Sequence, residues 1–220
     1  ELIMLTGILS DYNIYMHVAS DVPVDHQFLH GGHTKMQSHL DGLTEWSDNN
    51  LAKLNPSKCS YMLLSRAKVD FVTRLSVGGT KIDQKAATKL LGWWIDEDAG
   101  KWSTNTKELI KSAYSRISML TKLKYTGVKT QDLIEIYSLF IRSRAEYMSV
   151  VWHSSLTTVE AKKIENIQKT CLKIILGEDY IDYPSSLLST QLKELSARRE
   201  ARCLFFARKS LKSPLVGRLF

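Results

Sequence analysis

The run Thr157–Gly177, TTVEAKKIENIQKTCLKIILG, leaves the chain little choice of conformation. Thr157 followed three residues later by Glu160 is a capping box, in which side chains and backbone at a helix start satisfy each other's donors. Ile164, Ile167, Cys171, Leu172 and Ile175 then recur at helical spacing, and Gly177 supplies the stop. A helix with one apolar face cannot bury that face alone, so partner helices are required. The neighbouring sequence offers them. Leu109, Ile110, Ala113, Ile117 and Leu120 mark a helix from Ser103 onward. Leu133, Ile136, Tyr137, Phe140 and Ile141 mark a second, with Thr130 as its cap. Leu188, Leu192, Leu195, Cys203 and Phe206 mark another, from about Ser185 to Leu211. Residues 101–220 therefore predict a helical bundle.

Residues 1–100 read differently. The apolar LIMLTGIL precedes NIYMHVASDVPV, a strand or hairpin turning at Ala19-Ser20-Asp21. Met36, Leu40, Leu43 and Trp46 give one amphipathic helix, with Thr34 able to cap its start. Asn55-Pro56-Ser57 is turn chemistry, and the apolar run after Lys58 has the length of a strand. FVTRLSV and TKI flank Gly78-Gly79 as a hairpin, and KLLGWWID reads as one more short strand before DEDAGK, where the two halves meet. The expected class is α+β, mostly helical: short antiparallel strands with one helix, then the bundle. His26, His30 and His33 have a spacing that a metal could use on a helix. Gly31-Gly32 predicts a break between them and a fourth ligand is lacking, and residues 22–33 read as either a diverged loop or a sequence error.

Charge is distributed unevenly. Residues 1–100 carry nine Lys and Arg against twelve Asp and Glu, whereas residues 101–220 carry twenty-one against eleven. The second half, at +10, attracts phosphate backbones or anionic surfaces, or is simply a solvated face. Three cysteines far apart, Cys59, Cys171 and Cys203, indicate neither a disulfide framework nor a zinc site, and fit a reducing compartment. No apolar run is long enough to span a bilayer, so no membrane partner is expected. The phosphate-cradling glycine loop and the Gly-x-Ser-x-Gly elbow are both missing, which removes support for a P-loop enzyme or a hydrolase. Opening without methionine in an apolar run, the sequence reads as part of something longer.

Several segments, in order, carry a resemblance. MQSHLDGLTEWSDNNLAKLNPSKCSYMLLS, LLGWWID, IEIYSLFIRSRAEYMSVVW, IENIQKTCLKIILG and LKELSARREARCLFFARKS together resemble the reverse transcriptases of non-LTR retrotransposons, LINE-like and jockey-like. The likeness runs from Asp11 over nearly the whole chain. It implies a palm remnant over residues 1–100 and a helical thumb with its C-terminal extension over residues 101–220. It also implies an RNA-directed DNA polymerase working inside the cell, in nucleus or cytoplasm, on an RNA template and a DNA primer. Two Mg²⁺ ions held by carboxylates about 3.5–4 Å apart would do the chemistry in that family. The rest of the palm and the fingers would lie upstream.

The family's catalytic hairpin reads aromatic-Ala-Asp-Asp-Val, and VASDV aligns on it with Ser20 at the first aspartate and Asp21 at the second. Asp21 is thus the metal ligand the resemblance assigns, and Ser20 a degenerate one. A neutral hydroxyl in place of a carboxylate removes one charge facing two divalent cations, so tight Mg²⁺ binding and polymerisation by this segment alone are not expected. Lys58 matches the family's lysine near the incoming nucleotide, where it would meet the departing pyrophosphate; the plain alternative is a solvated turn lysine. Leu91 and Gly92 match a primer-gripping hairpin, and Lys101 and Trp102 follow as a cation and a stacking surface. Arg142 and Arg144, with a ridge of Arg198, Arg199 and Arg202, are candidate phosphate contacts. Their alternative is a solvated face with internal pairs to Glu194 and Glu200, or Arg142 with Glu146. A rival to the polymerase segment is an element-derived helical module that binds RNA or protein without catalysis.

Overall fold

The computed structural model, which describes residues 2–9, 12–17, 26–64, 74–98 and 102–213, gathers its strands in one unit, Glu1–Lys101, and most of its helix in a second, Trp102–Phe220. The protein is mostly helical, with a few short strands in small sheets.

In chain order the first unit holds β1 (Leu2–Leu9), β2 (Tyr12–His17), α1 (His26–Asn49), a 3-10 turn (Pro56–Lys58) and β3 (Ser60–Leu64). Five short strands follow: β4 (Ser76–Val77), β5 (Thr80–Lys81), β6 (Asp83–Gln84), β7 (Ala87–Leu90) and β8 (Trp93–Asp96). β1 lies between antiparallel β2 and β3, with Leu2 opposite His17 on one side and Leu64 on the other, and β6 joins β3 in parallel. Met36 and Leu40 of α1 pack with Cys59, Tyr61, Leu75, Val77 and Ile82. Gln37 fixes the register of that packing: its amide donates to Ser76 O at 3.0 Å and accepts from Ser76 N at 2.9 Å, as a neighbouring strand would.

Two expectations need correction here. α1 starts at His26, not near Thr34, and passes through Gly31-Gly32 without a break. Glycine lowers helix propensity by about 1 kcal/mol but allows helical dihedrals, and burial further along the same helix offsets that cost. KLLGWWID is not one strand but the hairpin β7–β8, turning at Leu91 (φ 45°) and Gly92 (φ 89°). The Gly78-Gly79 turn, with φ 55° and 74°, closes β4–β5 as read from sequence. The bend expected at Ala19-Ser20-Asp21 lies outside the described residues.

The second unit is a bundle. α2 (Ser103–Tyr125) is followed by α3 (Thr130–Ile136), which widens into a π-helical stretch, Tyr137–Arg142, and returns as α4 (Ser143–Ala145). Then come α5 (Ser149–Trp152), α6 (Thr158–Leu176), α7 (Tyr183–Ser189) and α8 (Leu195–Leu211). The capping box of α6 is present in both directions, Gly177 ends the helix at φ 59°, and its five inner residues are fully buried. Leu109, Ala113, Ile117 and Leu120 of α2 pack against them with Leu133, Tyr137, Ile141 and Ala145.

Phe140 leaves the expected stripe and is exposed. In the wider π turn a residue three places on rotates further from its partner than in an α-helix, so spacing by four survives and Phe140 does not. Thr130 is the first helical residue rather than the cap, which falls on Lys129. The single helix expected from Ser185 to Leu211 is two, α7 and α8, separated where Gln191 adopts φ 55°. Leu188 consequently misses the core and stands exposed; Phe206 keeps the phase of Leu195 but is exposed because it lies in the C-terminal half of α8, which is exposed at nearly every position.

Candidate nucleic-acid interface

Spacing by four from Leu195 decides which arginines of α8 can face solvent. Leu195 is fully buried, and Arg199, one turn on, is buried with it. The Arg199 guanidinium lies over the Trp152 ring at 5.9 Å, its Nε is 3.4 Å from His153 Nδ1, and neither Nη has a hydrogen-bond partner. Burial lowers its pKa, partly opposed by Glu165 and Glu146. Arg199 therefore does not belong to a surface ridge and cannot meet a phosphate there; the helix turns it into the bundle. Arg198 and Arg202 flank that stripe and are only partly covered, at 28% and 49% side-chain exposure.

Both reach one buried carboxylate. Arg198 Nε donates to Glu146 Oε1 at 2.6 Å and its Nη2 to Oε2 at 3.2 Å. Arg202 Nη2 stands 3.3 Å from the same Oε2, and its Nη1 reaches the Glu146 carbonyl at 3.5 Å. Glu146 itself is 1% exposed. The bond to Glu146 raises the pKa of Arg198. Arg142, at the end of the π stretch, feels the same charges: its pKa is lowered by burial first and by the charges of Arg198 and then Arg202. Two guanidinium groups on one carboxylate leave an excess of one positive charge. Each keeps donors beyond those Glu146 can accept, so an anion could dock beside them. Arg144 sits nearby in sequence with its guanidinium 5.8 Å over the Tyr147 ring.

The internal pairing expected for these arginines exists, but its acid is Glu146, which sequence places beside Arg142 and the fold hands to α8. Sequence reasoning missed this because it depends on the approach of segments 52 residues apart.

α8 is held at its start from outside. Glu165 of α6 accepts from Leu195 N at 2.9 Å and Ser196 N at 3.1 Å, doing for α8 what its own cap residue Glu194 does not. Glu165 also accepts from the Tyr183 hydroxyl, and buried Gln168 links Tyr137 Oη (2.6 Å), Tyr183 Oη (2.8 Å) and Lys193 O (3.0 Å). This polar seam sets the position of α8, and with it Arg198 and Arg202.

The remaining candidates are dispersed. Lys58 ends the 3-10 turn, exposed, its N–H donating to Asn55 O at 3.1 Å, while Asn55 Oδ1 accepts from Ser57 N and Ser57 Oγ. Leu91 is exposed at the β7–β8 turn beside Gly92, with Trp93 buried behind it. Trp102 is half-buried and packs on the core of the bundle. Ser20, Asp21 and Lys101 lie outside the described residues. Among the described residues no group of three His, Cys, Asp or Glu could hold a metal ion. No described helix is long and apolar enough to cross a membrane. Set against known proteins, the chain matches no family model, no curated protein and no solved structure.

Proposed function

We propose that this chain is a C-terminal segment of a non-LTR retrotransposon reverse transcriptase, a palm remnant and a thumb with its extension, that binds template–primer nucleic acid inside the cell and does not polymerise alone. The order of the resembling segments supports the family. The observation that carries the binding is the pair Arg198 and Arg202 on Glu146, a fixed cationic surface on the half of the chain that holds the positive charge. Guanidinium groups held by a buried acid are already oriented, so less freedom is lost when a phosphate arrives. The loss of one carboxylate at Ser20 supports the absence of catalysis.

Primer extension tests the assignment. Ser20→Asp, joined to an upstream palm and fingers from a related element, should incorporate deoxynucleotides on a primed RNA template when Mg²⁺ is present; the serine parent in the same fusion should not. Failure of both chains, or equal activity of both, removes the catalytic part of the reading. A second reading, an element-derived module that binds RNA or protein without catalysis, is favoured by the exposed apolar residues Leu204, Phe205 and Leu211 on α8. It predicts salt-dependent binding of RNA that is indifferent to Ser20.

A further inference from the structure

We infer that one flank of α8 is a track for single-stranded nucleic acid, on which Phe205 stacks a base while Arg198, Arg202, Lys209 and Lys212 follow the phosphates. The inference rests on the nucleic-acid reading above and adds to it the strandedness of the ligand and the residues that distinguish it.

Positions 198, 202, 205, 209 and 212 alternate steps of four and three, which keeps them on one side of a helix. At ~1.5 Å per residue this stripe is about 20 Å long. It begins at the Glu146 cluster and ends at the cap residue Lys212, which keeps right-handed helical dihedrals. From Leu204 onward the helix is exposed at every position except Ser210. Phe205, 69% exposed, stands midway along the stripe with cations on either side. An aromatic face flanked by guanidinium and ammonium groups is the arrangement that takes up unpaired bases without choosing among them. A duplex keeps its bases stacked on one another and offers Phe205 nothing to stack on.

The pattern separates this occupant from an anionic membrane. A helix that lies on a bilayer collects its apolar residues on one face and its charges on the other. Leu204, Phe205 and Phe206 are consecutive, so they point in three directions around the axis, and all are exposed. Apolar and cationic positions are interleaved rather than segregated.

The test uses the whole chain with a labelled oligo(dT) strand, a labelled duplex of equal length, and vesicles of phosphatidylserine and phosphatidylcholine. The strand should bind more tightly than the duplex. Phe205→Ala should weaken strand binding by about tenfold, leave the salt dependence unchanged and barely affect the duplex. Lys209→Ala with Lys212→Ala should instead reduce the slope of log affinity against log salt by about 1.4, at ~0.7 per lost contact. These side chains are exposed, so circular dichroism should be unchanged. If strand binding survives all three substitutions while remaining salt-dependent, the track is elsewhere and the wider nucleic-acid reading stands. Absence of binding to either oligonucleotide overturns both. Binding to vesicles alone assigns α8 to a membrane surface and overturns the inference.

Discussion

The carboxylate of Glu165 on α6 accepts the backbone N–H of Leu195, at 2.9 Å, and so caps a helix to which it does not belong. Its other oxygen takes the N–H of Ser196 at 3.1 Å. The first N–H groups of a helix have no intrahelical partner, and the positive end of the helix dipole favours a negative charge there. Glu165→Ala would leave both donors and the Tyr183 hydroxyl short of an acceptor, and should cost about 1–3 kcal/mol in urea unfolding. Glu165→Gln keeps one acceptor oxygen and should cost less. Equal losses from the two would mean that packing rather than capping holds α8.

Glu146 is the acid on which the arginine cluster depends. Glu146→Gln should lower stability, since Arg198 and Arg202 would then face each other and Arg142 without a counter-charge. Both arginines are partly solvated, so the loss should be about 1–3 kcal/mol rather than that of a fully buried pair. A double-mutant cycle with Arg198→Lys measures the coupling. Lysine cannot reproduce the two bonds that Arg198 makes to the carboxylate, so a coupling near zero would show that charge alone, without that geometry, holds the pair.

The reasons some of this was legible in sequence, and some not, lie in how far each interaction reaches. The cap, stripe and stop of α6 all fall within one helix, and each is present. Gly78-Gly79 announces its turn because both residues tolerate positive φ, whereas the same turn at Leu91-Gly92 is hidden by a leucine that does not. Arg199 reads as a surface cation until the burial of Leu195 sets the rotation of α8. The π stretch and the break at Gln191 have no local signature, and they are what displace Phe140 and Leu188 from the expected core, whereas Phe206 keeps the phase of Leu195 and is exposed with the rest of that half of α8. The Glu146 pairing needed tertiary approach, which no spacing rule supplies.

Stability should depend on pH through His153. Burial, and after it the charge of Arg199, hold its pKa below the ordinary 6.5, with Glu200 acting in the opposite direction. The unfolded chain therefore takes up the proton first. His153 costs nothing above pH 6.5 or so, and stability declines as pH falls below that value until the folded imidazole also protonates. Comparing urea midpoints at about pH 7.5 and 5.5, the parent should lose more than His153→Gln. Parallel losses would place His153 in ordinary solvent.

Thiol reactivity should rank the three cysteines. Cys171 is fully buried against the bundle core and burial pushes its thiol up to about 12, so at pH 8 only about one molecule in ten thousand carries the thiolate that reacts. Burial also raises Cys59 and Cys203, but Cys203, on the outer half of α8, is the only one of the three that is not buried. A maleimide or disulfide reagent should label Cys203 first, and Cys171 only when the bundle unfolds. Early labelling of Cys171 would show that α6 opens locally.

The β7–β8 turn carries an L-residue in a conformation that disfavours one. Leu91 at φ 45° and Gly92 at φ 89° form a two-residue hairpin turn in which Asn-Gly is the preferred pair, because a short polar side chain tolerates the left-handed region. Leu91→Asn should therefore steady the hairpin by about 0.5–1 kcal/mol, and Gly92→Ala should weaken it by about 1 kcal/mol or more. Thr88 and Ile95 face each other across the strands, and their amide exchange reads the hairpin directly. Exchange should slow in the first variant and quicken in the second. If both quicken, the exposed Leu91 side chain contributes more to holding the hairpin than its backbone strain costs.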